Sequence, residues 1–282
     1  MLSLKVQNRY GELIELTSNP AYEITNVDGI DPPDAVINTT HNAGVDGSVF
    51  NSAYMDNRTI TITLALNFPV EENRLQLYRY LKVKDKVRVF VTTENRDVYI
   101  DGYVSSFQVG YFDRKQIAQI VIFCPQPHFN GAETQVQPFS TIVPLFEFPF
   151  DIAEEGIPFS EIVLDLQKNI INYGDLETGV LITIMAVGSV ENPKIYDVGT
   201  GDHMIINQVM AEGDEIRICT RQGEKYIHFI SDGVTSSIIG KLAQGSTWFS
   251  LAPGDNLFTA TADDDPENMQ ITFELLDQYE GV

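Results

Sequence analysis

The sequence is poor in the residues that build covalent and metal-stabilised scaffolds. Its 282 residues include 2 cysteines, 4 histidines and 1 tryptophan. Cys124 and Cys219 lie far apart, which excludes a disulfide framework and a zinc site, because both need closer or more numerous ligands. We expect both thiols to be buried, as small apolar side chains usually are.

Long hydrophobic runs are also lacking. A membrane-spanning helix needs about 20 consecutive apolar residues, and no run in this chain approaches that length. The first ten residues, MLSLKVQNRY, contain neither an apolar core of secretory type nor a small-residue cleavage site. We therefore predict no membrane association, and we expect the protein to stay where it is made until it is assembled or the cell lyses.

Basic residues are scarce, with 18 Lys and Arg against 40 Asp and Glu and a formal net charge of −22. Residues 1–135 hold 12 basic and 16 acidic residues, whereas residues 136–282 hold 6 and 24. This balance provides no basic surface for phosphates, so we predict no specific nucleic-acid binding. A hydrophobic content of 43% is that of a globular protein, and the length allows two domains.

The motifs of common catalytic and cofactor sites are absent as well. GTGDHM at 199–204 lacks the third glycine of a dinucleotide-binding fingerprint, and there is neither a G-x-S-x-G nor an H-E-x-x-H motif. The histidines are isolated in sequence: His41, His128, His203 and His228. We therefore predict that the protein is not an enzyme and has no cofactor, no catalytic residue and no metal ligand.

Two segments resemble ligand sites but have simpler explanations. The acidic run DDDPE at 263–267 offers the oxygen ligands that calcium prefers, yet it lacks the spacing and the glycine of an EF-hand loop, so a solvated hairpin tip is favoured. Trp248, with Phe249, is a candidate platform for stacking on a sugar. A single tryptophan in a strand of a β-sandwich is more often part of the core.

The sequence patterns of the first half predict several strands and one helix. Residues 59–66 alternate between a threonine-rich and an aliphatic face, which predicts a strand. EENRLQLYRYLK at 71–82 changes to a helical period, with acidic residues in front and basic residues behind. Strand patterns resume at 86–93 and 97–112. QIAQIVIFC at 116–124 is apolar at successive positions, which predicts a central strand.

A proline-rich junction at about 125–149 separates this half from the next and predicts domains at 1–131 and 132–282. The second half contains short apolar runs separated by Gly, Asn and Asp, which is typical of a β-sandwich. We predict a mainly β protein, with a β-sandwich-like N-terminal domain that carries one helix and a C-terminal β-sandwich. The runs lie at 160–166, 179–187, 203–210, 214–220, 225–230, 248–251, 256–262 and 269–276.

The order of several short motifs resembles the distal tail proteins of long-tailed, siphovirus-type bacteriophages, a family also found in prophages and tail-like bacteriocins. In the first half the motifs are YEI at 22–24, DGSVFNSAYMDNR at 46–58, NRLQLY at 73–78, YIDGYV at 99–104 and CPQPHF at 124–129. Segments that resemble the second domain of the family are NYGDLETGVLITI at 172–184, GDEIRICTRQG at 213–223 and WFSLAPGDNLF at 248–258.

The resemblance implies a structural protein of the phage tail tip or baseplate, located in the virion and, during assembly, in the host cytoplasm. Such proteins form a homo-hexameric ring hub that joins the tail tube protein to the tail-associated fibre or spike protein and lets DNA pass; some also carry receptor-binding proteins. The N-terminal domain would form the ring, and the C-terminal domain would be galectin-like. The galectin sugar signature is absent, since Phe249 follows Trp248 where the pattern has glycine. A carbohydrate-binding adhesion module is the alternative function.

Within this interpretation, the polar turn region at 40–60 is our candidate for contacts between subunits. Polar loop residues are dense there and precede a strong strand. Asp46 and Arg58 are the candidate interface residues. For Arg58 the alternative is pairing inside its own domain, and the sequence leaves both open. The acidic second half either faces solvent or the host cell wall, which the family geometry favours, or keeps DNA from adhering during ejection.

Overall fold

The computed structural model describes residues 2–112, 115–144, 160–164 and 167–282. The chain divides into two compact units, Met1–Ala132 together with Gln278–Val282, and Glu133–Asp277. The first unit therefore consists of two segments that are separated in sequence by the whole second unit. Residues 145–149 of the predicted proline-rich junction, and residues 165–166 of one predicted strand, lie outside the described residues.

The first unit contains ten strands and one helix before the chain enters the second unit, counted over the described residues. They are β1 (Ser3–Asn8), β2 (Leu13–Glu15), β3 (Tyr22–Asp28), β4 (Ala35–Thr40), β5 (Val49–Met55), β6 (Arg58–Leu66), α1 (Val70–Tyr80), β7 (Lys86–Thr92), β8 (Asp97–Val109), β9 (Ile117–Cys124) and β10 (Phe129–Gly131).

One large antiparallel sheet organises this unit, in the order β2-β1-β7-β8-β9-β6-β3, with β10 paired to β8. The alternation predicted for β6 is confirmed: Ile60, Ile62 and Leu64 are fully buried, whereas the threonines between them face the other side. The predicted helix is also confirmed. Leu77 of α1 belongs to the same buried cluster as the aliphatic residues of β6, so the helix covers the inner face of the sheet.

The outer face of the sheet differs from the prediction for β9. That strand is central, as predicted, because it lies between β8 and β6. Its side chains nevertheless alternate, and Ile117 and Phe123 are 40% and 38% exposed. An apolar run in sequence indicates two apolar faces, but it cannot show whether both are covered. Here the second apolar face is left open in the single chain.

The second unit is built from short strands and two short 3-10 helices, Ile239–Lys241 and Pro266–Asn268. Its strands among the described residues are β11 (Gln135–Pro138), β12 (Ser140–Pro144), β13 (Ser160–Leu164), β14 (Lys168–Asn172), β15 (Val180–Ala186), β16 (Val190–Glu191), β17 (Lys194–Asp197), β18 (His203–Ile205), β19 (Val209–Met210), β20 (Glu215–Cys219), β21 (Tyr226–Ser231), β22 (Val234–Ser237), β23 (Gly254–Thr261) and β24 (Met269–Leu275).

Two antiparallel sheets enclose the core of this unit, in the orders β11-β24-β15-β20-β21-β22 and β14-β23-β17-β18. Phe258 of β23 and Phe273 of β24 are fully buried, and their ring centroids lie 5.2 Å apart, so the sheets pack face to face. This is the predicted β-sandwich. Residues 248–251 are not the strand that we predicted, since Leu251 forms only an isolated bridge with Thr178.

After the second unit the chain returns to the first. Residues Gln278–Tyr279 form β25, which pairs antiparallel with β10, so that Phe129 lies opposite Tyr279. We call residues 278–282 the C-terminal strap. No pattern in the sequence predicts this return to the first unit. A five-residue segment is too short to show a periodic pattern, so no sequence signal marked it.

Candidate functional site

A hairpin made of β4 and β5 is the most exposed regular structure in the first unit. The two strands pair with each other, and in the described part of the chain neither pairs with a third strand. All of β4 and all but the last residue of β5 are exposed. The hairpin lies between β3 and β6 in sequence, and β3 is an edge strand of the large sheet. We call residues 35–55 the projecting hairpin.

The projecting hairpin exposes large apolar side chains on both of its faces. Ile37 and Phe50 are 62% and 63% exposed, and Val36 lies opposite Tyr54 in the strand register. Successive residues of a strand point to opposite faces, so Val36 and Ile37 place apolar surface on both sides. Clustered exposed apolar side chains of this kind mark an interaction surface rather than a solvated one.

The tip of the hairpin holds Asp46, the first of the two predicted interface residues, and its side chain is exposed. The turn is closed locally, because Val45 N–H donates to the Asn42 carbonyl oxygen at 3.3 Å and His41 Nδ1 lies 3.2 Å from the Gly47 carbonyl oxygen. The tip is therefore an ordered turn that presents a carboxylate to solvent. An interface role for Asp46 stays a prediction.

Arg58, the second predicted interface residue, lies at the base of the hairpin and is 3% exposed. Its guanidinium also stacks 4.7 Å from the ring centroid of Phe129. The hydrogen-bond partners of Arg58 are backbone carbonyl oxygens of the first unit, as the alternative of pairing inside its own domain requires, and an interface role for Arg58 stays a prediction. Arg58 donates from Nε to the Pro127 oxygen (2.6 Å), from Nη1 to the Gly29 oxygen (2.8 Å) and the Asp31 oxygen (2.8 Å), and from Nη2 to the Glu280 oxygen.

Arg58 therefore fastens three separate chain segments at one point. Burial lowers the pKa of its guanidinium, while the nearby charges of Asp31 and Glu280 raise it. Arginine pKa values start so high that the group remains charged, and a charged donor forms stronger hydrogen bonds than a neutral one. The four bonds fix where the hairpin leaves the sheet.

Gly29 shows how tightly the base is packed. Its φ of +85° is in the left-handed region that favours glycine. A Cβ atom at this position would lie 2.0 Å from the carbonyl oxygen of Thr59 in the neighbouring strand. Only glycine fits both the backbone conformation and the space, so the fold requires a glycine at the base of the hairpin.

The C-terminal strap completes the base. Val282 N–H donates to the Ile30 carbonyl oxygen at 3.1 Å, and a Cβ atom on Gly281 would lie 2.7 Å from Pro32 Cδ. Arg96 donates to the Gly281 carbonyl oxygen and stacks 4.7 Å from the ring centroid of Tyr279. The strap is thus held by two arginines, Arg58 and Arg96, and by β10.

Two of the other candidate ligand residues, Asp263 and Trp248, have structural partners. In the acidic run, Asp263 binds Lys194 and accepts from Asn192 Nδ2 at 2.9 Å; these hydrogen bonds lower the pKa of its carboxyl group. Trp248 is partly buried against the core of the second unit, as predicted, and Lys225 Nζ lies 5.5 Å from its ring. Among the described residues, no group of three His, Cys, Asp or Glu side chains is placed to hold a metal ion.

The cysteines are buried, as expected. Cys124 is fully inaccessible and Cys219 is 3% exposed. Burial raises the pKa of the Cys124 thiol to about 12, so the reactive thiolate form is scarce at neutral pH. In the described part of the chain, no helix has the length and apolar composition that crossing a membrane requires.

The second unit contains a segment that is similar to a known protein family. Residues 173–275 match the family model for the C-terminal domain of the siphovirus-type tail component SPP1_Dit. The sequence matches no curated protein at a significant level.

Solved structures extend the similarity over the whole chain. The crystal structure of the Dit protein of phage SPP1, described as a paradigm of the hub adsorption apparatus in phages that infect Gram-positive bacteria, is 14% identical, with a TM-score of 0.68 and 98% of each chain covered. A chain in the structure of the phage P2 baseplate, in its activated conformation with Ca, is 9% identical to this chain, with a TM-score of 0.51 and 100% of each chain covered.

These TM-scores show a shared fold. With the family model, they confirm the resemblance to the distal tail protein family.

Proposed function

We propose that this protein forms a homo-hexameric ring at the phage tail tip, in which residues 1–131 make the ring and the projecting hairpin of each copy contacts the next copy. The ring joins the tail tube protein to the tail-associated fibre or spike protein and leaves a central passage for DNA. Receptor-binding proteins are further candidate partners. The protein acts in the virion, after assembly in the host cytoplasm, and its work is geometric rather than catalytic.

The projecting hairpin is the observation that carries this proposal. It exposes Ile37 and Phe50 by more than half and, in the described structure, pairs with no other strand. A monomer rarely leaves such a surface uncovered. The contact is heterologous, because a hairpin on one copy meets a different surface on the next, and repeated heterologous contacts close into a ring when the rotation permits.

The firm base of the hairpin supports the same proposal. Four hydrogen bonds from Arg58 and the close packing at Gly29 hold the hairpin in one direction relative to its own sheet. A ring of fixed diameter requires a fixed angle between neighbouring copies, which a loosely hinged arm would not provide. Most of the net negative charge lies outside residues 1–135, in the part of the chain proposed to face solvent.

The test is the mass of the purified full-length protein, measured by light scattering and native mass spectrometry over a range of concentrations, with negative-stain images. We expect a six-fold ring whose population rises with concentration. Ile37→Asp combined with Phe50→Asp should abolish the ring without unfolding the chain. Val234→Asp, at a position that is 68% exposed in β22 of the second unit, is the matched control. A chain that stays single at every concentration and in the virion would overturn the proposal.

A further inference from the structure

We infer that the projecting hairpin of one copy docks on a basic and apolar surface of the next copy. This surface, which we call the basic patch, consists of Lys82, Val83, Lys84, Lys86, Tyr103 and Phe123. The inference rests on the proposed ring and names the surface that receives the hairpin. It follows from the position, exposure and charge of the residues in the first unit.

Strand register makes the basic patch continuous. Lys86 of β7 lies opposite Tyr103 of β8, which in turn lies opposite Phe123 of β9. The loop before β7 joins this row, because Lys84 N–H donates to the Val104 carbonyl oxygen at 2.8 Å. The apolar members are substantially exposed: Val83 by 48%, Tyr103 by 45% and Phe123 by 38%. The patch is therefore the part of the outer sheet face where the second apolar side is open.

The charge of this surface is positive. Lys82 and Lys84 are exposed and form no ion pair among the described residues. Lys86 and its neighbour Arg88 share one carboxylate, Asp101, at 3.1 and 2.7 Å. Burial alone would raise the pKa of Asp101, but the hydrogen bonds from Arg88 and Lys86 lower it, so the carboxylate stays ionised. Lys82, Lys84, Lys86 and Arg88 thus lie beside two carboxylates, Asp101 and Asp85. Asp85 is already paired with Arg9 at 3.1 Å, so the surface keeps a positive balance in an otherwise acidic protein.

The backbone at Lys84 adopts a conformation that favours glycine. Its φ is +77°, a left-handed conformation in which a lysine costs about 1 kcal/mol or more relative to glycine. A glycine would form the same turn with less strain. The lysine side chain is exposed and has no ion-pair partner in the described part of the chain, so its benefit to the single chain is not visible. In the proposed ring, contact with a carboxylate of the next copy would offset this strain.

The projecting hairpin complements the basic patch in both respects. From residue 33 to residue 57 the sequence contains three carboxylates and neither lysine nor arginine. All three, Asp34, Asp46 and Asp56, are exposed. The apolar side chains of the hairpin match the apolar members of the patch, while opposite charges steer the encounter and disfavour wrong partners. A second copy of this chain is therefore the occupant that fits the patch.

Charge reversal tests this docking on the full-length protein. Asp46→Lys and Lys84→Asp should each raise the concentration at which half of the chains are in rings, by about fivefold or more, because an attractive contact becomes repulsive at every interface. Glu212→Lys and Lys225→Asp make the same charge changes at exposed positions of the second unit and should leave it unchanged. Lys84→Gly should weaken the ring while preserving or raising the melting temperature of the monomer.

Mixing the two reversed chains gives the sharpest result. In a ring that alternates Asp46→Lys and Lys84→Asp chains, every hairpin meets a patch of opposite charge, so assembly should return, with equal numbers of each chain by native mass spectrometry. Suppose that wild-type chains form rings. If each reversal then changes the half-assembly concentration by less than twofold, or if mixing restores no rings, the docking is overturned and the proposed function still stands. Absence of wild-type rings at every concentration would overturn both.

Discussion

Replacing Arg58 by methionine tests whether this side chain fixes the base of the projecting hairpin. The change removes four hydrogen bonds from a charged donor, each contributing about 1.5–3 kcal/mol. Part of this is offset, because the desolvation cost of a buried arginine also disappears. We therefore expect Arg58→Met to lower the free energy of unfolding by about 3–5 kcal/mol, as loss of one partner from a buried charged network does.

Thermal unfolding and hydrogen exchange measure this effect. A domain of this size changes its melting temperature by about 2–4 °C per kcal/mol, so a shift of roughly 10 °C is expected. The shift should affect the transition of the first unit, since all four carbonyl oxygens belong to it. Amide exchange should increase at residues 29–31 and in the C-terminal strap, where the lost bonds were made. The core strands of the second unit should exchange as before.

Two further substitutions make the result interpretable. Arg58→Lys keeps the charge but cannot reach all four oxygens with one ammonium group, so an intermediate stability is expected. Arg79→Met removes a similar side chain from an exposed position of α1 and should change the melting temperature by less than about 2 °C. If Arg58→Met melts as close to wild type as Arg79→Met does, and exchange at the base is unchanged, Arg58 does not fasten the hairpin.

Four other predictions follow from the first unit. Gly29→Ala should cost at least about 2 kcal/mol in urea unfolding, because its Cβ would meet the Thr59 oxygen; an unchanged midpoint would contradict this packing. Deleting the strap, residues 278–282, should lower the first melting transition and speed proteolysis near residue 30, and equal proteolysis rates would argue against a strap. Burial lowers the pKa of His128 from its ordinary 6.5, so the unfolded chain binds protons first and wild-type stability should fall as pH drops below 6.5; His128→Gln should flatten that part of the profile. Cys124 should resist iodoacetamide at about pH 8 until urea unfolds the chain, whereas rapid labelling of the native protein would refute its burial.

The sequence predicted those strands and helices that depend only on the residue pattern of a short segment. The threonine and aliphatic alternation of β6 and the helical period of α1 are properties of short segments, and both are present as predicted. The sandwich of the second unit followed from short apolar runs between turn residues. The strand predicted at 248–251 was wrong. Phe249 and Leu251 are apolar because they pack into the core, but they do so from irregular chain and not from a strand.

The base of the hairpin could not be predicted from these patterns. Arg58 donates to backbone carbonyl oxygens, and every residue offers such an oxygen, so its partners leave no mark on the sequence. The glycine at position 29 was visible but unexplained until its neighbour Thr59 was placed. The open outer face of β9 was likewise invisible, because an apolar sequence reads the same whether a second copy or the same chain covers it.

The order of the chain gives the strap a further consequence. The large sheet of the first unit can form from residues before position 132, but the base of the hairpin is complete only when residues 278–282 have bound Arg58, Arg96 and β10. Those residues are synthesised after the entire second unit. Without the strap, Arg58 loses its hydrogen bond to the Glu280 oxygen, and the Ile30 carbonyl oxygen loses the hydrogen bond that it accepts from Val282 N–H. Three of the four Arg58 bonds and the packing at Gly29 come from residues before position 132, so the strap adds the last contacts to a base that is already largely formed.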